Sequence, residues 1–283
     1  MTSPNRVYFP KIFPGKVSEQ NKRAIDWGKY NLVAYGSHSY VVVVSPELRI
    51  VQTLDEHRAH ICAVKWAKMD IDHRDNQKGF QMQLASGDKG GTIIIWDVVE
   101  GNVITTLASP EQKAGVMEIQ WHPTVYSVLV SLYDDGVFAC WNLITCQKNW
   151  KISLPATSLG FCFNPFDLEN VCAPQSTGQI VFVLDFSIDR APTQIENKYR
   201  LANKSSGKGS NELLQMKFSE TSKNLVYFLL SREILVFDLY FQQVITSIVL
   251  ERQRSSFQDV LLCWDAPGLL FTIHQVFHHS SYS

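Results

Sequence analysis

The apolar residues of this chain fall in short runs that predict β-strands. Runs such as Val41 to Val44 and Ile93 to Ile95 are rich in β-branched side chains, and aromatic residues end several of them. These residue types favour pleated strands, and a continuous apolar run is expected where a strand is buried on both faces. Apolar residues at helical spacing do not continue over the ten or so residues that a helix needs. The pattern predicts an all-β fold.

The same succession of strands and turns recurs along the chain. Each copy has a strand, a polar turn, an apolar strand that ends in a large residue followed by Asp or Asn, a second turn and a further strand. The residue pairs that end the apolar strand are Trp96-Asp97, Trp141-Asn142, Leu184-Asp185 and Phe237-Asp238. They lie 45, 43 and 53 residues apart, close to the period of about 40–45 residues that is typical of four-stranded propeller blades.

A second register supports the first. Six strands that open a unit end in an aromatic residue, namely Trp27, Trp66, Trp121, Phe163, Phe218 and Trp264. Six openings predict about five complete four-stranded blades and a partial sixth blade. The complete blades are predicted at 23–54, 61–107, 116–152, 157–201 and 213–250, and the partial blade from 257 onward.

These residues resemble the WD-repeat family over nearly the whole chain, from Trp27 to Trp264. The resemblance implies a β-propeller in which a His, a Ser, a Trp and an Asp of each blade form a buried hydrogen-bonded network. The matching residues are His57, Ser86, Asp88 and Trp96 in blade two, and Ser131, Asp135 and Trp141 in blade three.

The chain departs from the family pattern in several places. Asp88 lies eight residues before Trp96 where six is usual, which predicts a longer turn and leaves its bond to His57 open. Gln112 stands where blade three should have its His, and blades four and five keep only the strand pattern. We interpret His57 with Ser86 as structural, because a buried polar group left unpaired costs about 1–3 kcal/mol. The alternative, a metal pair of His57 and His60, lacks further ligands at suitable spacing.

The sequence resembles more specifically the N-terminal part of the WD repeat-containing protein 11 family. The segments "AIDWGKYNLVAYGSHSYVVVV", "LASGDKGGTIIIWDV" and "SREILVFDLYFQQVI" carry the resemblance in order and spacing. That family is much longer and carries two propellers, so this sequence would cover part of the first. We therefore predict an N-terminal extension at 1–22, the propeller at 23–275 and an irregular tail at 276–283, as in a truncated or alternatively spliced product.

The resemblance also implies a cellular role. It implies a non-catalytic scaffold within a complex that tethers endosome-derived vesicles at the trans-Golgi network, with links to ciliogenesis and Hedgehog signalling. The partners would be other proteins of that complex. The expected locations are the cytoplasm, the trans-Golgi network and cytoplasmic vesicles, with the cilium base and the nucleus as further places.

Composition narrows the remaining classes of function. The 283 residues carry 26 Lys and Arg against 27 Asp and Glu, so the chain lacks the cationic excess of a nucleic-acid binder. No apolar run approaches the ~18 residues of a membrane helix, and the first twenty residues do not form a secretory signal. The six cysteines include no CxxC pair, which indicates buried thiols without zinc or disulfides. No cofactor is expected.

Motifs of catalysis are missing as well. The sequence has no GxSxG elbow and no HExxH, and "SSGKGS" lacks the flanking residues of a Walker sequence. The carboxylates Asp134 and Asp135 stand in a tight turn, where turn geometry accounts for them. We predict a protein without enzymatic activity and without catalytic residues.

Two segments are candidates for partner binding. The first is a basic insertion loop at 189–211, which we interpret as a solvated loop, with a docking arm for an acidic partner or an anionic membrane surface as the alternative. The second is the turn at Tyr240 and Phe241, whose aromatic rings either anchor a partner or pack on a neighbouring part of the fold. The basic residues of the insertion are Arg190, Lys198, Arg200, Lys204 and Lys208.

Other propeller functions remain as alternatives. One alternative is a nuclear adaptor, such as a ubiquitin-ligase substrate receptor or a chromatin-associated propeller. Substrate-receptor propellers favour an Arg two residues after the Trp-Asp pair of a blade. This chain has Val99 after Trp96-Asp97 and Ile144 after Trp141-Asn142 at that place. A propeller enzyme would need titratable residues that converge on the central channel. A propeller that lacks its last strands would also have an unpaired edge, which predicts poor solubility or dependence on the missing remainder or a second chain.

Overall fold

The protein forms five four-stranded antiparallel sheets arranged as the blades of a β-propeller, which confirms the predicted fold class. The computed structural model describes residues 21, 23–28, 30–68, 82–109, 113–201, 212–249, 255–262 and 270–276. A further pair of antiparallel strands follows the fifth blade. The described residues contain no α-helix.

Each blade runs from its first strand to its fourth in sequence order. Blade one contains β1 (Ile25–Trp27), β2 (Val33–Ser37), β3 (Tyr40–Val44) and β4 (Ile50–Leu54). Blade two contains β5 (Ile61–Trp66), β6 (Gln83–Asp88), β7 (Ile93–Asp97) and β8 (Asn102–Leu107). Blade three contains β9 (Val116–Trp121), β10 (Val128–Tyr133), β11 (Val137–Asn142) and β12 (Gln147–Ser153).

The remaining strands continue the same order. Blade four contains β13 (Cys162–Asn164), β14 (Asp167–Pro174), β15 (Gln179–Val183) and β16 (Ile195–Arg200). Blade five contains β17 (Leu213–Phe218), β18 (Leu225–Leu230), β19 (Glu233–Asp238) and β20 (Gln243–Val249). The half blade contains β21 (Ser255–Leu262) and β22 (Leu270–Val276). The observed strands lie within a few residues of the predicted blade limits.

The half blade lies between blades five and one. Its first strand, β21, contacts β17 and β18 on one side and β1 on the other. The five blades and the half blade therefore follow one another around a ring.

Apolar residues of adjacent blades share their cores. Val41 and Leu54 of blade one pack in one cluster with Trp66 and Trp96 of blade two, and all four are buried. At about 25 cal/mol per Å² of apolar surface removed from water, this contact between blades is the main source of stability in such a fold. Inner strands such as β3 and β7 read as nearly continuous apolar runs because both of their faces are covered in this way.

The structure corrects the prediction of an insertion loop at 189–211, because part of this segment forms a strand. Residues 195–200 form β16, the outermost strand of blade four, which pairs antiparallel with β15. The fourth strand of a blade lies on the outside of the ring and exposes many of its side chains, so β16 can consist largely of polar residues. Within the described part of this segment, the loop is the connection before β16.

Several predicted features lie outside the described residues. These are Gln112, Lys204, Lys208, Trp264, the segment 1–22 except Asn21, and the tail at 276–283 except Val276.

Candidate functional site

The predicted residues of blade two form one buried chain of hydrogen bonds. His57 Nδ1 lies 2.7 Å from Asp88 Oδ2, and His57 Nε2 lies 2.7 Å from Ser86 Oγ. Trp96 Nε1 donates to the same Ser86 oxygen at 2.7 Å. When Nδ1 donates to the carboxylate, Nε2 accepts the Ser86 hydroxyl proton, so each group has its partner. The network ties the loop before β5 to β6 and β7.

The unusual spacing of Asp88 has a simple cause. Asp88 is the last residue of β6 and does not lie in the turn that follows. Its Oδ1 accepts the backbone N–H groups of Gly90 and Thr92, so the carboxylate both closes the turn and meets His57. The turn between β6 and β7 has one residue more than that between β10 and β11, and the hydrogen bond to His57 is nevertheless present.

Blade three has a reduced version of this arrangement. Trp141 Nε1 donates to Ser131 Oγ at 2.8 Å, the counterpart of the bond between Trp96 and Ser86. Asp135 lies in the turn, where its Oδ1 accepts the backbone N–H of Val137 at 3.0 Å. The blade therefore keeps the strand-to-strand link between Ser and Trp.

In blades two to five, the Asp or Asn at or shortly after the end of the third strand has a second role that was not recognised from the sequence. Asp97, Asn142 and Asp238 each accept the backbone N–H groups of the residues two and three positions later. Asp185 accepts those of Thr193 and Gln194 across a longer connection. Asp and Asn commonly stabilise turns in this way. The recurrence of Asp or Asn at this place was the signal that could have revealed it.

The turn of blade five displays its two aromatic rings to solvent. Tyr240 is 73% exposed and Phe241 is 67% exposed. Their rings meet edge to face with centroids 4.9 Å apart, and both backbone N–H groups donate to Asp238. The next residue, Gln242, has a left-handed backbone with φ of 52°. The rings therefore stand on a fixed turn, and no blade in the described part of the chain buries them.

The structure brings the basic strand beside this aromatic turn. Tyr199 of β16 donates its hydroxyl to the backbone oxygen of Leu239, the residue that precedes Tyr240, at 3.3 Å. Arg200, the last residue of β16, is exposed, and Lys198 belongs to the same strand. Arg190 is exposed in the loop before β16. We call the surface formed by Tyr240, Phe241 and the exposed side of β16 the blade-five rim.

Charged side chains also meet at the centre of the ring. The first strands of all five blades line a cavity of about 130 Å³. The charged residues in its lining include Asp26, Lys65, Glu118 and Lys217. Lys65 Nζ lies 3.4 Å from Glu118 Oε1 and 4.0 Å from Asp26 Oδ1. Burial raises the pKa of the Cys162 thiol in the same wall to about 12, so it stays protonated at neutral pH. The channel holds paired charges and an unreactive thiol.

One buried histidine near this wall makes a structural contact that depends on its protonation. His122 Nδ1 accepts the backbone N–H of Val125 at 3.1 Å, and its ring packs against Phe163 and Phe186. Only the neutral ring can accept at Nδ1. Burial lowers the pKa of His122 below its ordinary value.

This contact predicts that acid weakens the fold. The folded protein holds a proton on His122 less tightly than the unfolded chain, so the stabilisation is complete above about pH 6.5 and is lost as the pH falls below that value. We expect urea unfolding between pH 7.5 and pH 5.5 to show a steeper loss of stability in the wild type than in His122→Asn. The Asn side-chain oxygen accepts the same N–H without titrating. Equal slopes in the two proteins would contradict the assignment.

Neither a metal centre nor a membrane crossing is evident in the described part of the chain. Among those residues, no three His, Cys, Asp or Glu side chains are grouped so that they could hold a metal ion. No described helix has the length and apolarity to cross a membrane. Five cysteines are free thiols there, four of them buried, and Cys146 is exposed.

The blades, the buried His–Ser–Trp network and the Asp-capped turns define a WD-repeat β-propeller. Residues 15–191 match the family model described as WDR11 first beta-propeller. The chain belongs to this family, which confirms the resemblance found in its sequence, and it is a WD-repeat scaffold domain.

Known relatives agree with this assignment. The chain is 30% identical to WD repeat-containing protein 11 of Homo sapiens over 301 residues, which covers 94% of this chain and 24% of the relative. It is 27% identical to the Danio rerio protein of the same name with the same coverage. A more distant match is Elongator complex protein 2 of Arabidopsis thaliana, 27% identical over 176 residues, which covers 61% of this chain and 20% of that relative. The chain therefore spans about a quarter of the length of the WD repeat-containing protein 11 relatives.

Proposed function

We propose that this chain is a non-catalytic interaction scaffold that works with the proteins of a vesicle-tethering complex. The role is transport from endosomes to the trans-Golgi network, with links to ciliogenesis and Hedgehog signalling. Its membership of the WDR11 first beta-propeller family supports this proposal. The corresponding locations are the cytoplasm, the trans-Golgi network and cytoplasmic vesicles, with the cilium base and nucleus as further places.

The observation that carries the proposal is the exposed aromatic pair on the blade-five rim. Two large rings on a hydrogen-bonded turn lose little conformational freedom when a partner covers them, and aromatic residues are frequent energetic centres of protein interfaces. Arginine is also enriched at such interfaces, and Arg200 directly follows Tyr199, the residue of β16 that contacts this turn. The rim thus offers an exposed aromatic centre next to a strand that ends in a basic residue.

The absence of enzymatic function is part of this proposal. Titratable residues do converge on the central channel, as a propeller enzyme would need. Lys65 is paired there with two carboxylates, and Cys162 is held as a neutral thiol. Groups engaged in this way balance charge within the ring and are not set up as a nucleophile and base.

Replacing both rings should break the interaction while leaving the fold intact. In Tyr240→Ser/Phe241→Ser we expect recovery of tethering-complex proteins from cell extracts to fall about tenfold or more, because loss of interface anchors commonly costs 2 kcal/mol or more. The measurement is quantitative affinity purification of the full chain. Thermal melting should be unchanged, because both rings are exposed.

A matched control comes from blade three. Ile144 is 72% exposed and, like Tyr240, lies two residues after the residue that caps its turn. Ile144→Ser should retain the partners of the wild type. If the wild type and the aromatic-pair variant recovered the same amounts of partner proteins, the blade-five rim would not be the binding surface. Recovery of ubiquitin-ligase or chromatin proteins in place of tethering proteins would favour a nuclear adaptor.

A further inference from the structure

Two histidine side chains meet where blade one joins blade two. His38 is exposed in the turn between β2 and β3, and His60 is partly exposed in the connection before β5. Nδ1 of His38 lies 3.3 Å from Nε2 of His60, and the ring centroids are 5.4 Å apart. A turn after a second strand and a turn after a third strand lie at opposite ends of an antiparallel sheet, so the pair lies on the face of the propeller opposite to the turn of Tyr240 and Phe241.

The backbone of both histidines is held in place by neighbouring residues. His38 donates its N–H to Asn21 Oδ1 at 3.0 Å, and its carbonyl oxygen accepts the N–H of Ile61 at 2.8 Å. The carbonyl oxygen of His60 accepts the N–H of Lys89 at 2.9 Å. His38 also has a left-handed backbone with φ of 56°, which is uncommon for residues other than glycine. A ligand that joined the two rings would therefore have little backbone freedom to remove.

The separation of the two ring nitrogens matches a tetrahedral zinc ion. Bonds from zinc to histidine nitrogen are about 2.0–2.1 Å long, and two such nitrogens at the tetrahedral angle are about 3.3–3.4 Å apart. Neighbouring nitrogens of a square-planar ion with bonds of about this length would be only about 2.8–3.0 Å apart. The observed 3.3 Å fits the tetrahedral ion, which would replace the hydrogen bond between the rings.

Two histidines make an exchangeable site and not a closed metal centre. Structural zinc centres have four protein ligands and catalytic centres have three, and the described residues contain no such group. Cys62 lies nearby, where its Sγ donates to the carbonyl oxygen of His60 at 3.3 Å. Burial raises the pKa of this thiol to about 11, so it stays protonated at neutral pH and is not a ligand. The two other coordination positions of the ion are left to solvent.

We propose that His38 and His60 form a zinc site that links blade one to blade two. Imidazole nitrogen is a preferred ligand of Zn²⁺, whereas Mg²⁺ prefers oxygen. The two residues come together only in the folded chain, so the bound ion stabilises the joint between the blades. This inference goes beyond the proposed function, because the pair lies on the face that Tyr240 and Phe241 do not occupy.

Zinc titration of the full chain tests the site. The starting protein is the variant His278→Ala/His279→Ala, because these adjacent histidines near the end of the sequence offer a second pair of imidazoles. We expect isothermal titration calorimetry to show saturable binding of one Zn²⁺ per chain and no binding of Mg²⁺. Zn²⁺ should shift the ring signals of His38 and His60 in nuclear magnetic resonance spectra. It should also raise the melting temperature of the chain.

Both histidines should be needed for binding. His38→Asn and His60→Ala should each weaken zinc binding about tenfold or more, since even the indirect partners of a metal ligand commonly contribute that much. Asn is chosen at position 38 because it tolerates the left-handed backbone. Neither variant should gain melting temperature from zinc. The matched control is His122→Asn, whose histidine is buried and already accepts the N–H of Val125, and it should bind zinc like the starting protein.

Three results would overturn the proposal. The first is zinc binding that does not saturate, and the second is binding that either His38→Asn or His60→Ala leaves unchanged. The third is one Zn²⁺ per two chains with a dimer in sedimentation, which would mean that the ion joins two copies and not two blades. Tyr240→Ser/Phe241→Ser should bind zinc like the starting protein, so the titration and the affinity purification can fail independently.

Discussion

Replacing His57 with alanine should destabilise the protein by about 3 kcal/mol. The side chain is fully buried, and its removal leaves Asp88 Oδ2 and the Ser86 hydroxyl without the partner that they have at 2.7 Å. Each buried polar group that loses its partner costs about 1–3 kcal/mol, and here two such groups lose the same partner. For a domain of this size the melting temperature should fall by roughly 6–12 °C.

A nearby histidine provides the control. His60 is partly exposed, and its ring meets His38 in a contact of 3.3 Å at the surface. His60→Ala should change stability by less than about 1 kcal/mol, as is usual for surface positions. Calorimetry or urea unfolding of both variants is the measurement. A melt of His57→Ala that coincides with the wild type would show that the network is not needed for stability.

Gly136→Ala should be as damaging, because the substitution meets the backbone. Gly136 lies in the turn between β10 and β11 with φ of 87°, and an added Cβ would stand 2.3 Å from the backbone oxygen of Leu154. The left-handed conformation alone costs a side chain about 1–2 kcal/mol, and overpacking adds about 1–3 kcal/mol. We expect a loss of about 3 kcal/mol or more in the free energy of unfolding.

The corresponding turn of blade two offers a comparison. Gly90 has no left-handed backbone, and an added Cβ would come no closer than 3.3 Å, to Asp88 Oδ1. Gly90→Ala should therefore cost less than about 1 kcal/mol in the same unfolding experiment. If the two glycine variants were equally stable, the close approach of Leu154 to the turn would not be rigid.

The positions of most strands could be predicted from the sequence because each depends on a local pattern. The apolar run at Ile93 to Ile95 and the aromatic residues at the ends of first strands mark inner strands directly. Strand β16 was interpreted as part of a loop, since an outer strand needs few apolar residues and this one has mainly polar and charged residues beside Ile195 and Tyr199. Local polarity cannot distinguish an exposed strand from an exposed loop.

The contacts of the candidate sites depended on long-range geometry. The sequence indicated that His57, Ser86 and Trp96 act together, but their spacing left the bond to Asp88 open. From the sequence, Tyr240 and the basic residues around Arg200 were two separate candidates for partner binding. Their common position on one rim follows from the packing of blade four on blade five, and no local pattern contains that information.

The sequence by itself determined that the chain is built of repeated four-stranded blades, because alternation, turn residues and period are properties of neighbouring residues. Only the tertiary structure decided how the blades are fastened to one another. The hydrogen bond from Gln52 to Val98 and the pairing of Lys65 with Glu118 join residues from different blades. Such contacts are set by the way the blades pack around the ring, which no stretch of sequence encodes alone.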